Sequence, residues 1–194
     1  MKQKIILIIS CSLIACSSHF NKSINTEGNE LKIISHKDSL AIRLIELYGS
    51  DQIARRNHKI FTSLDTINFN ELMQFIKTNG FPNKKLLGDE NMKVESVKMA
   101  AISILLHNPH RLVNEELYLR VLLKEVERGN LNREMLATIL DKYYWVKKDK
   151  NGNRKVLYGT QFGKPCMLYR KESDSVRAII GLQPLPDSLF IDCN

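Results

Sequence analysis

The segment 97–106, Val-Lys-Met-Ala-Ala-Ile-Ser-Ile-Leu-Leu, is apolar on nearly every side of a helix, broken only by Lys98 and Ser103. A helix without a polar face has to be enclosed by other elements. The chain must therefore supply several amphipathic helices around it, and the flanking sequence does so. Between about residue 39 and residue 59, Leu40, Leu44, Leu47 and Tyr48 recur three and four apart, the spacing of one helix face. Leu119, Leu122, Leu123 and Val126 form a second stripe, and Met135, Leu136, Ile139, Leu140 and Tyr143 a third. The short link at Gly129 and Asn130 predicts that these last two helices lie as an antiparallel pair.

Helix starts are marked by a recurring device. Ile67-Asn68, Val113-Asn114 and Leu131-Asn132 each place an apolar residue before an Asn, with Leu72, Tyr118 and Leu136 four positions beyond it. The spacing predicts three Asn N-caps with hydrophobic staples, and Glu71 adds a capping-box partner for Asn68.

Past Tyr144 the pattern changes. Trp145 and Val146, then Asn151-Gly152, then Val156, Leu157 and Tyr158 predict a β-hairpin near 144–161, because Asn-Gly between β-formers suits a two-residue turn. The segment 167–169 would add a third strand, and a short final helix over 174–180 ends at Gly181. The expected fold is mainly α with a minor β part, an antiparallel helical bundle carrying a C-terminal hairpin or three-stranded meander. It forms one domain over 37–194, long enough to bury a core without metal or disulfide staples.

The amino terminus carries an address. Lys2 and Lys4 precede an apolar stretch from Ile5 to Ile14, and Ala15 and Cys16 follow. That is the layout of a secretory signal, too short to span a bilayer as a lasting helix. Leu13, Ile14, Ala15 and Cys16 also resemble the bacterial lipobox. The resemblance implies a signal peptide over 1–15, removal of that signal, and acylation of the Cys16 thiol and of the new amino terminus. One acyl chain binds a membrane marginally, and several anchor it firmly. Residues 16–36 are polar and aperiodic at first and predict a tether. By resemblance to lipoprotein sorting rules, the lack of Asp after Cys16 implies the periplasmic face of the outer membrane.

The formal charge is +8, and losing Lys2 and Lys4 with the signal leaves +6. Outside the cytoplasm a basic protein is expected to meet anionic lipid, glycan or acidic protein rather than nucleic acid. The densest basic runs are Arg55, Arg56, His58, Lys59 and Lys147, Lys148, Lys150, which read as solvated faces. Cys11 leaves with the signal and Cys16 takes lipid, so Cys166 and Cys193 remain. An oxidising compartment would permit a bridge between them. No Cys-x-x-Cys or Cys/His cluster suggests a metal, and no motif calls for a cofactor.

Tyr158, Gly159, Thr160 and Gln161 resemble a bacterial family defined as a domain of unknown function, which couples Tyr-Gly-Thr-Gln to upstream helical motifs. Asp51, Gln52 and Arg55 look like its Asp-Gln-x-x-Arg, and Gly80, Phe81 and Pro82 like its Gly-aromatic-Pro, with Gly88 following. His107 stands where the family has Gln-His, with Leu106 in place of the glutamine. Asp141 and Lys142 stand where it has Asp-Arg, with lysine in place of the arginine. Arg177, Gly181 and Leu182 look like its Arg-x-x-x-Gly-Leu. The resemblance spans 51–185 and implies a fold, not an activity.

These residues are the candidate site. Asp51 and Arg55 share a helix face and read either as a structural ion pair or as the lining of a polar cleft. His107 closes the buried helix, as a dipole partner, a polar cap or a general base. Residues 158–161 serve either a ligand or the locking of strand to helix. Two functional classes follow. One is a binding module for an envelope protein, peptide or glycan, with Gln52, Arg55, Asp141, Tyr158, Gly159, Thr160, Gln161 and Arg177 as contacts. The other is a hydrolase-like enzyme with His107 or Asp51 as base and Arg55, Thr160 and Gln161 positioning substrate. No Gly-x-Ser-x-Gly, His-Glu-x-x-His or phosphate-binding glycine loop is present, which favours binding.

Overall fold

A computed structural model describes residues 35–56 and 62–193. Cys16, the signal and most of the tether lie outside the described residues, as do His58 and Lys59. The described chain is mainly helical. Its nine α-helices are α1 (His36–Arg56), α2 (Thr62–Asn79), α3 (Lys84–Leu87), α4 (Asp89–Lys93), α5 (Glu95–His107), α6 (Pro109–Asn114), α7 (Glu116–Glu127), α8 (Arg133–Val146) and α9 (Arg170–Ile179).

The apolar segment 97–106 forms most of α5, which packs against α1, α2, α4 and α8. Val97, Ala100, Ala101, Ile104 and Leu105 are buried. Leu44 and Leu47 of α1, Phe69 and Leu72 of α2, and Leu136 and Ile139 of α8 close around it. Each fully buried aliphatic side chain contributes about 1.5–3 kcal/mol, so this ring of contacts is what makes a helix like α5 stable.

One of the three expected Asn caps forms. Asn132 caps α8, its side chain accepting from the backbone N–H groups of Glu134 and Met135. Asn68 instead lies inside α2 and is buried, with its side-chain oxygen accepting from the Ser50 hydroxyl at 2.9 Å. Asn114 ends α6, and Glu115 is the N-cap of α7. Long-range packing and a neighbouring helix end outweigh the local signal at both positions. The expected α7–α8 pair is also corrected. Helix α7 packs chiefly on α6 and α2, and α8 on α6 and α5, rather than the two on each other.

No strand is found among the described residues, so the expected hairpin and meander give way to turns. Trp145 and Val146 stay in α8. The Asn151-Gly152 turn forms, with a single antiparallel bridge between Lys148 and Arg154. The chain then leaves that register because the N–H groups of Leu157 and Tyr158 donate to the Asp141 carboxylate rather than to a strand. Residues Met167–Tyr169 form a 3₁₀ turn. The tail returns beside it, with Met167 N–H donating to Ile191 and Ile191 N–H to Pro165. A disulfide joins Cys166 to Cys193 there.

Candidate functional site

The candidate residues fall into two buried polar groups that no hydrogen bond or ion pair joins among the described residues. The first surrounds Asp51, whose side chain is fully buried at the C-terminal half of α1. The heptad-like stripe of Leu40, Leu44 and Leu47 continues into Asp51, so the helix turns its carboxylate toward α5. There His107 Nδ1 lies 2.8 Å from Asp51 Oδ1, and the Ser103 hydroxyl donates to Oδ2 at 3.0 Å. Gln52 donates to the same oxygen at 3.0 Å and to Ser103 at 3.2 Å.

Arg55 lies 3.8 Å from Asp51 and donates to Asp65 of α2 at 2.5 Å. Burial pushes the Asp51 carboxyl up, but the His107 and Ser103 hydrogen bonds and the Arg55 charge outweigh it and hold the group below its ordinary value. The carboxylate is therefore ionised and can only accept. His107 therefore presents a protonated Nδ1 to Asp51, since an ionised carboxylate can only accept. The ring keeps 29% of its surface exposed.

Two buried donors in this seam lack an acceptor, Nε of Arg55 and Nδ2 of Asn68. Asn68 and Ser50 line a shallow groove of about 200 Å³ between α1 and α2, whose rim carries the Arg43–Glu71 ion pair.

The second group surrounds Asp141, also fully buried, on α8. Its carboxylate accepts four hydrogen bonds, from the N–H groups of Leu157 (2.8 Å), Tyr158 (3.1 Å) and Thr160 (3.2 Å) and from the Thr160 hydroxyl (2.9 Å). Arg177 of α9 donates to the Tyr158 carbonyl at 2.5 Å, and Ser173 to the Leu157 carbonyl at 2.5 Å. Gly159 has φ +68°, and a Cβ there would stand 2.6 Å from Leu185 Cδ1. The Tyr-Gly-Thr segment is thus clamped onto α8 and α9 by its backbone. Burial pushes the Tyr158 phenol well above its ordinary value, with Tyr144 and Asp141 acting in the same sense, so it stays neutral. Gln161 is exposed in the following turn and belongs to neither group.

The Gly80-Phe81-Pro82 segment is held in the same way elsewhere. Phe81 N–H donates to the buried Glu125 carboxylate of α7 at 2.8 Å, and a Cβ at Gly80 (φ +93°) would stand 3.2 Å from that carboxylate.

Of the residues the sequence singles out, Asp51, Gln52, Arg55, His107, Asp141, Thr160 and Arg177 lie in these polar networks, whereas Ser103, Asp65, Ser173 and Glu125 join them without having been singled out. Ser103 carried a signal, being one of two polar residues in an otherwise apolar helix. The others look like ordinary members of polar helix faces. Among the described residues, no group of three or more His, Cys, Asp or Glu is placed to hold a metal. The chain matches no protein-family model, no curated protein and no solved structure.

Proposed function

We propose that this chain is a lipid-anchored protein of the cell envelope whose helical domain works as a binding module, held through Cys16 on the periplasmic face of the outer membrane. The observation that carries the anchor is the run Leu13, Ile14, Ala15, Cys16 behind a short lysine-led apolar stretch. The Cys166–Cys193 disulfide supports the compartment, since such bonds persist outside the reducing cytoplasm.

Binding is favoured over catalysis by the way the polar side chains are used. The Asp141 carboxylate and Thr160 hydroxyl engage each other, the Tyr158 phenol is neutral, and Asp51 is sealed beneath His107 and Ser103. What faces outward is the turn with Gln161 and the groove at Ser50 and Asn68, which suit an envelope protein, a peptide or a glycan. The test is capture of envelope components by the lipidated protein and by its Gln161→Ala and Ser50→Ala variants. Loss of a specific partner at an unchanged melting temperature supports the module. A partner retained by both variants, or lost only when the domain unfolds, counts against it.

A hydrolase-like reading rests on one contact, Asp51 with His107, because a carboxylate on Nδ1 leaves Nε2 oriented as a general base. It requires turnover that His107→Gln abolishes without unfolding the domain. An unaltered protein inert toward esters, amides and glycosides would sink it.

A further inference from the structure

The C-terminal end of α8 and the turn after it concentrate positive charge, most of which meets no carboxylate among the described residues. Across residues 142–164 the sequence has seven Lys and Arg and one acid, Asp149. The Asp149 carboxylate is occupied by the N–H groups of Asn151 and Asn153 and by the Tyr169 hydroxyl. Lys155 pairs with Glu172, and no carboxylate lies within salt-bridge distance of the other cations among the described residues.

Aromatic rings hold these cations in place instead. Lys142 Nζ sits 4.1 Å from the centre of the Trp145 ring and 5.3 Å from that of Phe162, and the Arg154 guanidinium sits 3.9 Å from Trp145. Arg154 also donates to the Trp145 carbonyl at 2.7 Å, and Lys147 rests on Tyr143. An aromatic face positions a cation without cancelling its charge, whereas a carboxylate would do both. Exposed aliphatic side chains border the cluster. Val146 is 55% exposed, and Leu168, next to the Tyr169 that binds Asp149, is 75% exposed.

We propose that this face docks on the phosphate headgroups of an anionic phospholipid surface, with Lys142, Lys147, Lys148, Lys150 and Arg154 meeting the phosphates and Val146 and Leu168 entering the interface. Cations interspersed with exposed aliphatics are the pattern of a peripheral membrane contact. A glycan is disfavoured because the indole that would stack on a sugar already carries two cations. The proposal rests on the lipid-anchor reading, which keeps the domain within reach of the bilayer. Docking fixes which face of the domain lies against the membrane and leaves the α1–α2 groove for a partner.

Trp145 is the chain's one tryptophan, so its fluorescence reports on this face alone. The lipidated protein is reconstituted into phosphatidylcholine vesicles with brominated acyl chains, with and without phosphatidylglycerol. The expected result is quenching of Trp145 only when phosphatidylglycerol is present, reversed near 1 M salt, where the screening length drops to about 3 Å. Each basic residue at an anionic surface strengthens partitioning about fivefold. Added from solution without its acyl chains, as a Cys16→Ser protein, the chain carrying Lys147→Glu, Lys148→Glu and Lys150→Glu should therefore bind such vesicles at least about a hundredfold more weakly than the Cys16→Ser protein alone. A charge-matched control, Lys85→Glu, Lys98→Glu, Lys124→Glu, should retain quenching. The proposal is overturned if quenching is equal on neutral vesicles, if both variants lose it alike, or if only a soluble acidic polysaccharide perturbs Trp145. Failure of the anchor reading looks different, because the protein would then not float with neutral vesicles at all.

Discussion

Removing the Asp141 carboxylate tests how the C-terminal third of the domain is held. In the native state that group accepts three backbone N–H groups and one hydroxyl from residues 157–160, all with Asp141 fully buried. Asp141→Ala leaves those four donors without their acceptor, two of them, the Leu157 and Tyr158 N–H groups, in buried bonds. An orphaned buried polar group costs about 1–3 kcal/mol, and breaking a buried charged network costs about 3–5 kcal/mol in practice. We expect a loss of about 3–5 kcal/mol, a large part of the about 5–15 kcal/mol that holds a typical domain. Asp141→Asn keeps one acceptor oxygen for Leu157 and Tyr158 but faces the Thr160 N–H with its own donor, so about half of that loss is expected. Thr160→Val removes the hydroxyl's bond to Asp141 and its longer contact from the Phe162 N–H, and should cost about 1–2 kcal/mol.

The assay is urea unfolding followed by Trp145, which stands one turn beyond Asp141 on α8. Circular dichroism on the same samples shows whether the helices melt with it. The double variant Asp141→Ala, Thr160→Val should be less destabilised than the sum of the two single changes, because both delete the same contact. An Asp141→Ala loss below about 1 kcal/mol, or strict additivity, would refute the claim that this carboxylate fastens the Tyr-Gly-Thr segment.

Other expectations follow from the same geometry. Asp51 and Glu125 are held below their ordinary values, so each contributes stability above about pH 4 that is lost as pH falls through the depressed folded-state value. Urea midpoints should therefore drop on acidification below about pH 4, less steeply in Asp51→Asn and Glu125→Gln proteins; curves parallel to the unaltered chain would contradict this. Two glycine substitutions should act with opposite sign. Gly49 lies in α1 with open space at its Cβ, so Gly49→Ala should stabilise by about 0.5–1 kcal/mol, while Gly159→Ala meets Leu185 and a left-handed backbone and should raise the unfolding rate and lower stability in the same melts. Cys193→Ser should cost about 3 kcal/mol, given a sequence separation of 27 between the bridged cysteines, and a thiol reductant should reproduce the loss on the unaltered protein alone.

The central helix was legible because its composition admits only an enclosed position. Asn132 was legible as a cap because nothing distant competes for its side chain. Asn68 carried the same local signal and was misread, since Ser50 reaches it from another helix and α2 begins a turn and a half earlier. The hairpin failed for a related reason. Its second strand has the right residues, but Asp141 captures their N–H groups, and a carboxylate buried on another helix leaves no periodic mark. At the candidate site, i,i+4 spacing announced Asp51 with Arg55 but not the contact to His107, which is set by the crossing of α1 and α5. The short motifs likewise gave no hint of their pairing, in which Asp51 serves His107 while Asp141 and Arg177 both serve Tyr158 and its neighbours.

The most direct test of the functional account is mass spectrometry of the amino-terminal peptide from protein extracted out of the membrane fraction. The account predicts a peptide that begins at residue 16 and carries two or three fatty chains. A peptide that retains Ala15 before residue 16, or one whose first cysteine is a free thiol, would contradict it.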